Sequence, residues 1–163
     1  MLKRAVVTGA SSGIGAATVR RLAELGWSTV AVARRADRLA ALAAETGARA
    51  IVCDVTDAAQ VAAMAREVAE TGGANVLVNN AGGAPGTEPV ESASNDDWRW
   101  MFEVNVIGLR TVTAALLPVL REAARADGWA SILNLTSTAG HGAYPGGGGY
   151  NAAKYAARAV TEV

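Results

Sequence analysis

Short runs of β-branched and apolar residues alternate along this chain with longer stretches rich in alanine and leucine. Ala5–Thr8, Thr29–Ala33, Ala48–Cys53, Val76–Asn79 and Ser131–Thr136 have the length and residue types of strands. The stretches near 13–25, 36–45, 57–71, 95–122 and 149–163 carry apolar residues at helical spacing. The first four runs lack apolar/polar alternation, as strands do when helices cover both faces of a parallel sheet. With right-handed crossovers this predicts an α/β fold built on a doubly wound parallel sheet. Gly72-Gly73 and Gly82-Gly83-Ala84-Pro85-Gly86 read as loops and not as linkers, so residues 1–163 are predicted to form one domain. The alanine content reflects helix propensity and close packing on a sheet, and says little about function.

Composition narrows the partners. The chain has 163 residues, 51% of them hydrophobic and 18% charged, which is ample material for one core. Fifteen basic and fifteen acidic residues cancel without any block of like charge, so neither nucleic acid nor an anionic membrane is expected as partner. A small molecule is expected instead. The single cysteine, Cys53, ends the apolar run Ala50-Ile51-Val52, and a buried, inert thiol in a reducing compartment is favoured over a reactive one. Ala5-Val6-Val7 is too short for a signal peptide, and no later segment is expected to approach a spanning helix, so the expectation is a soluble, cytoplasmic protein. No cluster of histidines and cysteines offers a metal site.

The first chemical signal is Val6-Val7-Thr8-Gly9-Ala10-Ser11-Ser12-Gly13-Ile14-Gly15, which follows the first strand and opens the first helix. Glycines there let the chain turn sharply, bring backbone N–H groups close to a diphosphate and seat the positive end of the helix dipole against the anion. Nineteen residues after Gly15, where a dinucleotide fold reads the adenosine ribose, the chain has Arg34 and Arg35 where an NAD site offers a carboxylate. Two guanidiniums suit a 2′-phosphate through charge-assisted hydrogen bonds, which favours NADP over NAD; the alternative is a pair of solvated charges at a helix start. Asp54, at the end of the third strand, could cap a helix entry or a turn.

The second signal is Tyr150-Asn151-Ala152-Ala153-Lys154, a tyrosine and a lysine on one helical face. A tyrosine, with a reference pKa of about 10, needs nearby positive charge to act as a base at neutral pH. Ser137 ends the fifth strand thirteen residues earlier, at the edge where doubly wound sheets bind ligands.

Thr8-Gly9-x-x-x-Gly13-Ile14-Gly15, Asn79-Asn80-Ala81-Gly82, Asn105 in Val104-Asn105-Val106, Ser137 and Tyr150-x-x-x-Lys154 together resemble the short-chain dehydrogenases/reductases, in family order and over essentially the whole chain. The resemblance implies a Rossmann-like fold and a cofactor site made by Gly9, Ser11, Ser12, Gly13, Ile14, Gly15, Arg34, Arg35, Asp54, Val55, Asn80, Ala81 and Gly82 with Tyr150 and Lys154. It implies that Tyr150 is the general acid/base on the alcohol or carbonyl oxygen and that Ser137 hydrogen-bonds that oxygen. Lys154 would lower the tyrosine pKa and hold the nicotinamide ribose, and Asn105 would position a water in a proton relay. The reaction implied is hydride transfer between NADP(H) and a secondary alcohol or ketone. The loop before Tyr150 also resembles reductases of small 3-hydroxy acids. Asn79 is read as structural, knitting the sheet.

Other candidates carry less. His141 lies between Ser137 and Tyr150, where it could touch substrate or simply be solvated. Trp98, Trp100 and Phe102 follow Ser94, which reads as a helix cap, and read as packing or subunit-interface residues, since family members pair their fourth and fifth helices as homo-oligomers. Family members continue past the Tyr150 helix into further strands and a substrate-covering segment. The resemblance therefore implies a C-terminally incomplete fold, with the run Ser131–Ser137 left as an apolar edge. Three readings follow: an NADP-dependent enzyme, a cofactor-binding module without turnover, and an inactive fragment. Extended sugar-nucleotide epimerases share the Tyr-x-x-x-Lys pair but differ in glycine spacing.

Overall fold

The computed structural model describes residues 3–163. Its chain runs β1 (Arg4–Thr8), α1 (Gly13–Glu24), β2 (Ser28–Ala33), α2 (Ala36–Thr46), β3 (Arg49–Val52), α3 (Ala58–Glu70), β4 (Val76–Asn79), α4 (Asn95–Phe102), a π-helical turn (Glu103–Gly108), α5 (Leu109–Asp127), β5 (Ser131–Asn134), a short 3-10 turn (Thr138–Gly140) and α6 (Gly148–Glu162). The five strands form one parallel sheet in the order β3-β2-β1-β4-β5. The strand order reverses between β1 and β4, and a crevice opens outside the carboxyl ends of strands at such a reversal.

Apolar residues on both sides of each inner strand explain why helices cover both faces. On one face, Val6, Val30, Val32 and Leu77 pack with Met64 and Val68 of α3 and with Val112, Leu116 and Leu120 of α5. On the other, Ala5, Val7, Ala31 and Val78 meet Ala16 and Val19 of α1 and Leu39 and Leu42 of α2. Fully buried side chains such as Leu39, Leu77 and Leu116 each contribute about 1.5–3 kcal/mol of transfer free energy. At the edges the cover thins: Val52 on β3 and Leu133 on β5 are exposed.

Most boundaries lie within one residue of the sequence reading; the fifth strand and the long helix differ by more. The fifth strand stops at Asn134 and not at Thr136, because the Thr136 amide turns back to the Asn134 carbonyl at 3.1 Å. The long helix reaches Asp127 and contains the π-helical turn, which hydrophobic spacing could not mark. That continuous stretch, Asn95–Asp127, is long and apolar enough to cross a membrane, against the expectation that no segment approaches one. Here its apolar side is the side that packs on the sheet and on α3, as in the core helix of a layered fold.

Candidate active site

The glycine loop is built by close approach. Gly9 has φ +65°, and a β-carbon on it would meet the Ala81 Cα at 2.9 Å, so only glycine fits both the turn and the neighbour. A β-carbon on Gly15 would come within 2.5 Å of the Gly9 carbonyl oxygen. The loop is stitched to the end of β4 by Asn80, whose side-chain amide donates to the Thr8 carbonyl at 2.9 Å. The Thr8 hydroxyl in turn accepts from the backbone N–H groups of Asn80 and Ala81, both at 3.0 Å. Thr8 is thus a scaffold of the loop that the glycine spacing alone did not single out.

Ser12 occupies the N-cap position of α1 without capping it, since its hydroxyl accepts from Arg35 at 2.7 Å. The first-turn amides of α1 therefore have no side-chain acceptor and point outward at the positive end of the helix. Arg35 also donates to the Ser11 hydroxyl through Nε and Nη2 at 3.0 and 2.8 Å, which fixes its guanidinium above the loop. Arg34 points instead to Asp54, with Nη1 3.6 Å from Oδ2.

Asp54 does not cap a helix; Asp57 does, accepting from the amides of Ala59 and Gln60 at 2.9 and 3.1 Å. Asp54 forms a tight turn, accepting from the Thr56 amide at 3.0 Å and hydroxyl at 2.8 Å. Burial works to raise its pKa, but the Thr56 bonds and Arg34 outweigh it and hold the carboxyl below its ordinary value. Cys53 beside it is 1% exposed, and burial, with the charges of Asp54 and Asp57, pushes its thiol up to about 11.

These residues enclose a cavity of about 430 Å³, lined by Gly9, Ser11, Ser12, Ile14, Ala33, Arg34, Arg35, Cys53, Asp54, Val55, Asn80, Ala81, Gly82, Trp100 and Val104. Most of the expected cofactor residues are among them. Gly13 and Gly15 shape the loop without lining the cavity, and Tyr150 and Lys154 are outside it. Ala33, Cys53, Trp100 and Val104 are additions; for the last two, i,i+4 spacing on one helical face was the available signal.

The second half of the site meets at Gly82. A β-carbon there would come within 2.5 Å of Asn105 Oδ1 and 3.4 Å of Lys154 Nζ, so glycine lets both side chains close on the loop. Asn105 is buried in the π-helical turn, where its amide donates to the carbonyls of Met101 at 2.8 Å and Gly83 at 2.9 Å. A π turn frees an i−4 carbonyl from its usual backbone partner, and here the side chain takes it. Lys154, 6% exposed, donates to the Leu135 carbonyl at 2.9 Å and lies 5.7 Å from the Tyr150 ring centroid. Burial lowers its pKa from the ordinary lysine value.

Ser137 accepts from the Ala139 amide at 3.2 Å and so caps the 3-10 turn. That turn packs on α6 so closely that a β-carbon on Gly140 would lie 2.7 Å from the Lys154 carbonyl oxygen. Of the weaker candidates, Trp98 packs against Gly148 and Gly149 at the start of α6, and Phe102 is exposed. His141 is exposed and its Nδ1 accepts from Arg158 at 2.9 Å. Ser94 caps α4, accepting from the Asp96 amide at 3.1 Å. Asn79 donates to Thr113 and Asn134, both at 2.8 Å, and ties β4 to α5 and β5. Among the described residues no group of histidine, cysteine and carboxylate side chains could hold a metal ion.

A family model described as short chain dehydrogenase matches residues 3–163. The chain is 53% identical over 156 residues to an uncharacterized oxidoreductase of Mycobacterium tuberculosis, covering 96% of this chain and 59% of that protein. It is 40% identical over 152 residues to an NADP-dependent 3-hydroxy acid dehydrogenase of Salmonella typhi, covering 91% of this chain and 60% of the relative. Among solved structures, the closed form of a serine dehydrogenase complexed with NADP+ superimposes with a TM-score of 0.91 at 36% identity, covering 98% of this chain and 64% of that one. The chain therefore spans about three-fifths of the length of the curated relatives it matches.

Proposed function

Because this chain belongs to the short-chain dehydrogenase family, we propose that it carries the cofactor site and reacting residues of an NADP(H)-dependent oxidoreductase acting on a small secondary alcohol or ketone. The observation that carries this reading is the pairing of two half-sites across Gly82. On one side lies the cavity with Arg34 and Arg35, and on the other Asn105 and Lys154 approach the glycine directly. The 3-hydroxy acid and serine activities named for the relatives make a small hydroxy acid the favoured substrate class.

The residues present fit a phosphorylated dinucleotide. A diphosphate suits the outward amides of α1 and the glycines that admit close approach, and a 2′-phosphate suits Arg35, which two serine hydroxyls already orient. When bound, the cofactor supplies the hydride. The chain handles the proton. Tyr150 exchanges it with the substrate oxygen as general acid/base, and Ser137 donates to that oxygen. Lys154, held on Leu135, brings positive charge to the tyrosine and would hold the nicotinamide ribose of a bound cofactor. Asn105, anchored on Met101 and Gly83, would position a water in the proton relay to solvent. The reading extends to a cytoplasmic protein that pairs with copies of itself.

The test is thermal unfolding with NADPH, with NADH and without cofactor, followed by absorbance assays with NADP+ as hydride acceptor over a panel of small hydroxy acids. A larger upward shift with NADPH and oxidation of at least one hydroxy acid support the reading. Equal shifts with both cofactors would overturn the NADP preference, and binding without any turnover would make the chain a cofactor-binding module.

A further inference from the structure

The cavity beside the glycine loop has one aromatic wall. Trp100 of α4 contributes its indole, with Val104 one turn further along beside it. The six-membered ring of Trp100 rests on Gly83, where an added β-carbon would come within 3.1 Å of Cη2 and 3.4 Å of Cζ3. A β-carbon at position 83 would press on the ring, so glycine lets the indole lie close to the backbone. The ring is not consumed by packing; Trp100 keeps 36% exposure.

The rest of the lining says which half of a dinucleotide the indole meets. The cavity takes in Arg34, Arg35, Asp54 and Val55, and none of Asn105, Ser137, Tyr150 or Lys154 lines it. Trp100 therefore shares a cavity with the residues expected to read adenosine, and none of the reacting side chains lines it. In its adenosine half a dinucleotide presents charged phosphates, a polar sugar and a single flat aromatic base. The glycine loop and the two guanidiniums suit the charged groups. An indole beside a valine suits only the base, because two aromatic faces or edges attract through dispersion and complementary quadrupoles and both shed water on contact.

Resting on the dinucleotide reading above, we infer that Trp100 is an adenine-contacting residue that helps set affinity for the adenosine half of the cofactor. Its emission then reports occupancy of that half. The other three tryptophans provide a steady background: Trp27 and Trp129 pair edge-to-face with centroids 6.1 Å apart, Trp98 packs on the start of α6, and none of the three lines the cavity.

The experiment titrates adenosine 2′,5′-bisphosphate, which carries the 2′-phosphate and adenine but no nicotinamide, and separately nicotinamide mononucleotide. The proteins are the unaltered chain, Trp100→Phe and Trp100→Leu, read by tryptophan emission and by calorimetry. The expected result is that the bisphosphate changes the emission of the unaltered chain but not of Trp100→Phe. Its affinity should fall about tenfold in Trp100→Leu, and the mononucleotide should leave the emission unchanged. Trp100→Phe keeps an aromatic ring on Gly83, so the emission arm stands even where Trp100→Leu fails to fold. Calorimetric binding of the bisphosphate with unchanged emission, or with unchanged affinity in a folded Trp100→Leu, would overturn the role of the indole while leaving the dinucleotide reading intact. No binding of the bisphosphate to the unaltered chain would overturn both.

Discussion

Asn151 donates from its side-chain amide to the Ala139 carbonyl at 2.9 Å, and so joins the helix that carries Tyr150 and Lys154 to the turn that follows Ser137. A second amide hydrogen reaches the Gly142 carbonyl at 3.1 Å, and Oδ1 accepts from the Tyr144 amide at 3.4 Å. Asn151 is buried, so its removal strands carbonyls away from water. Asn151→Ala should cost about 1–3 kcal/mol of stability by urea unfolding, while binding of adenosine 2′,5′-bisphosphate at the far half-site stays unchanged. A cost below about 0.5 kcal/mol would show that the loop is not held this way.

Two glycines of the same loop should respond oppositely. Gly140 faces the Lys154 backbone at 2.7 Å from its would-be β-carbon, whereas nothing lies within 4 Å of one on Gly142. Gly140→Ala should therefore lower stability by about 1–3 kcal/mol, because backbone cannot move aside as a side chain can. Gly142→Ala should be neutral or stabilising by up to about 1 kcal/mol, through the unfolded chain. Paired thermal unfolding of the two variants decides between them.

The two arginines should contribute unequally to phosphate recognition. Arg35 is oriented by Ser11 and Ser12 and, among the described residues, forms no ion pair, whereas Arg34 is shared with Asp54. Arg35→Ala should weaken NADPH binding about 10–100-fold and leave NADH binding unchanged. Arg34→Ala should weaken it less. Calorimetric titration of both cofactors against both variants measures the difference, and equal losses would remove the division of labour.

Tyr150→Phe should lower turnover by about 10²–10⁴-fold, since a general acid/base contributes on that scale, with dinucleotide affinity unaltered. Substantial residual turnover would take Tyr150 out of the proton-transfer role.

Cys53 makes stability fall with pH at the alkaline end. Its thiol is pushed up to about 11 in the fold, against an ordinary value of 9.0. Between these two values the unfolded chain gives up the proton first, so the folded state binds more protons and the free energy of unfolding decreases as pH rises. Below the lower value the contribution is fully present. Lys154, lowered by burial, acts with the opposite sign, which makes a variant comparison necessary. Urea unfolding of Cys53→Ala and the unaltered chain should show the variant losing less stability, by about 2 kcal/mol, over that interval. Parallel pH profiles would mean that the buried thiol does not titrate as described.

Much of this was legible in the residues themselves. Strand and helix order, the parallel sheet and both faces of its core follow from hydrophobic period, because period is a local property. The glycine loop was legible for a related reason: Gly9 marks a backbone conformation and a close approach that other residues resist. Arg34 and Arg35 could be placed beside the glycine loop's cavity by counting from the loop, but not told apart, since the serines and the aspartate that divide them come from other segments.

Tertiary structure alone decided which side chains share a space. Nothing in Tyr150-x-x-x-Lys154 indicates that the lysine settles on the Leu135 carbonyl, or that Gly82 is the point where Asn105 and Lys154 close in. The π-helical turn that turns Asn105 toward Met101 and Gly83 leaves no mark in spacing, because it depends on what packs against the helix. Trp100 was read as a packing or subunit-interface residue for the same reason. A residue pattern specifies which face of its own helix a side chain occupies, and only the crossing of chain segments distant in sequence determines what that face meets.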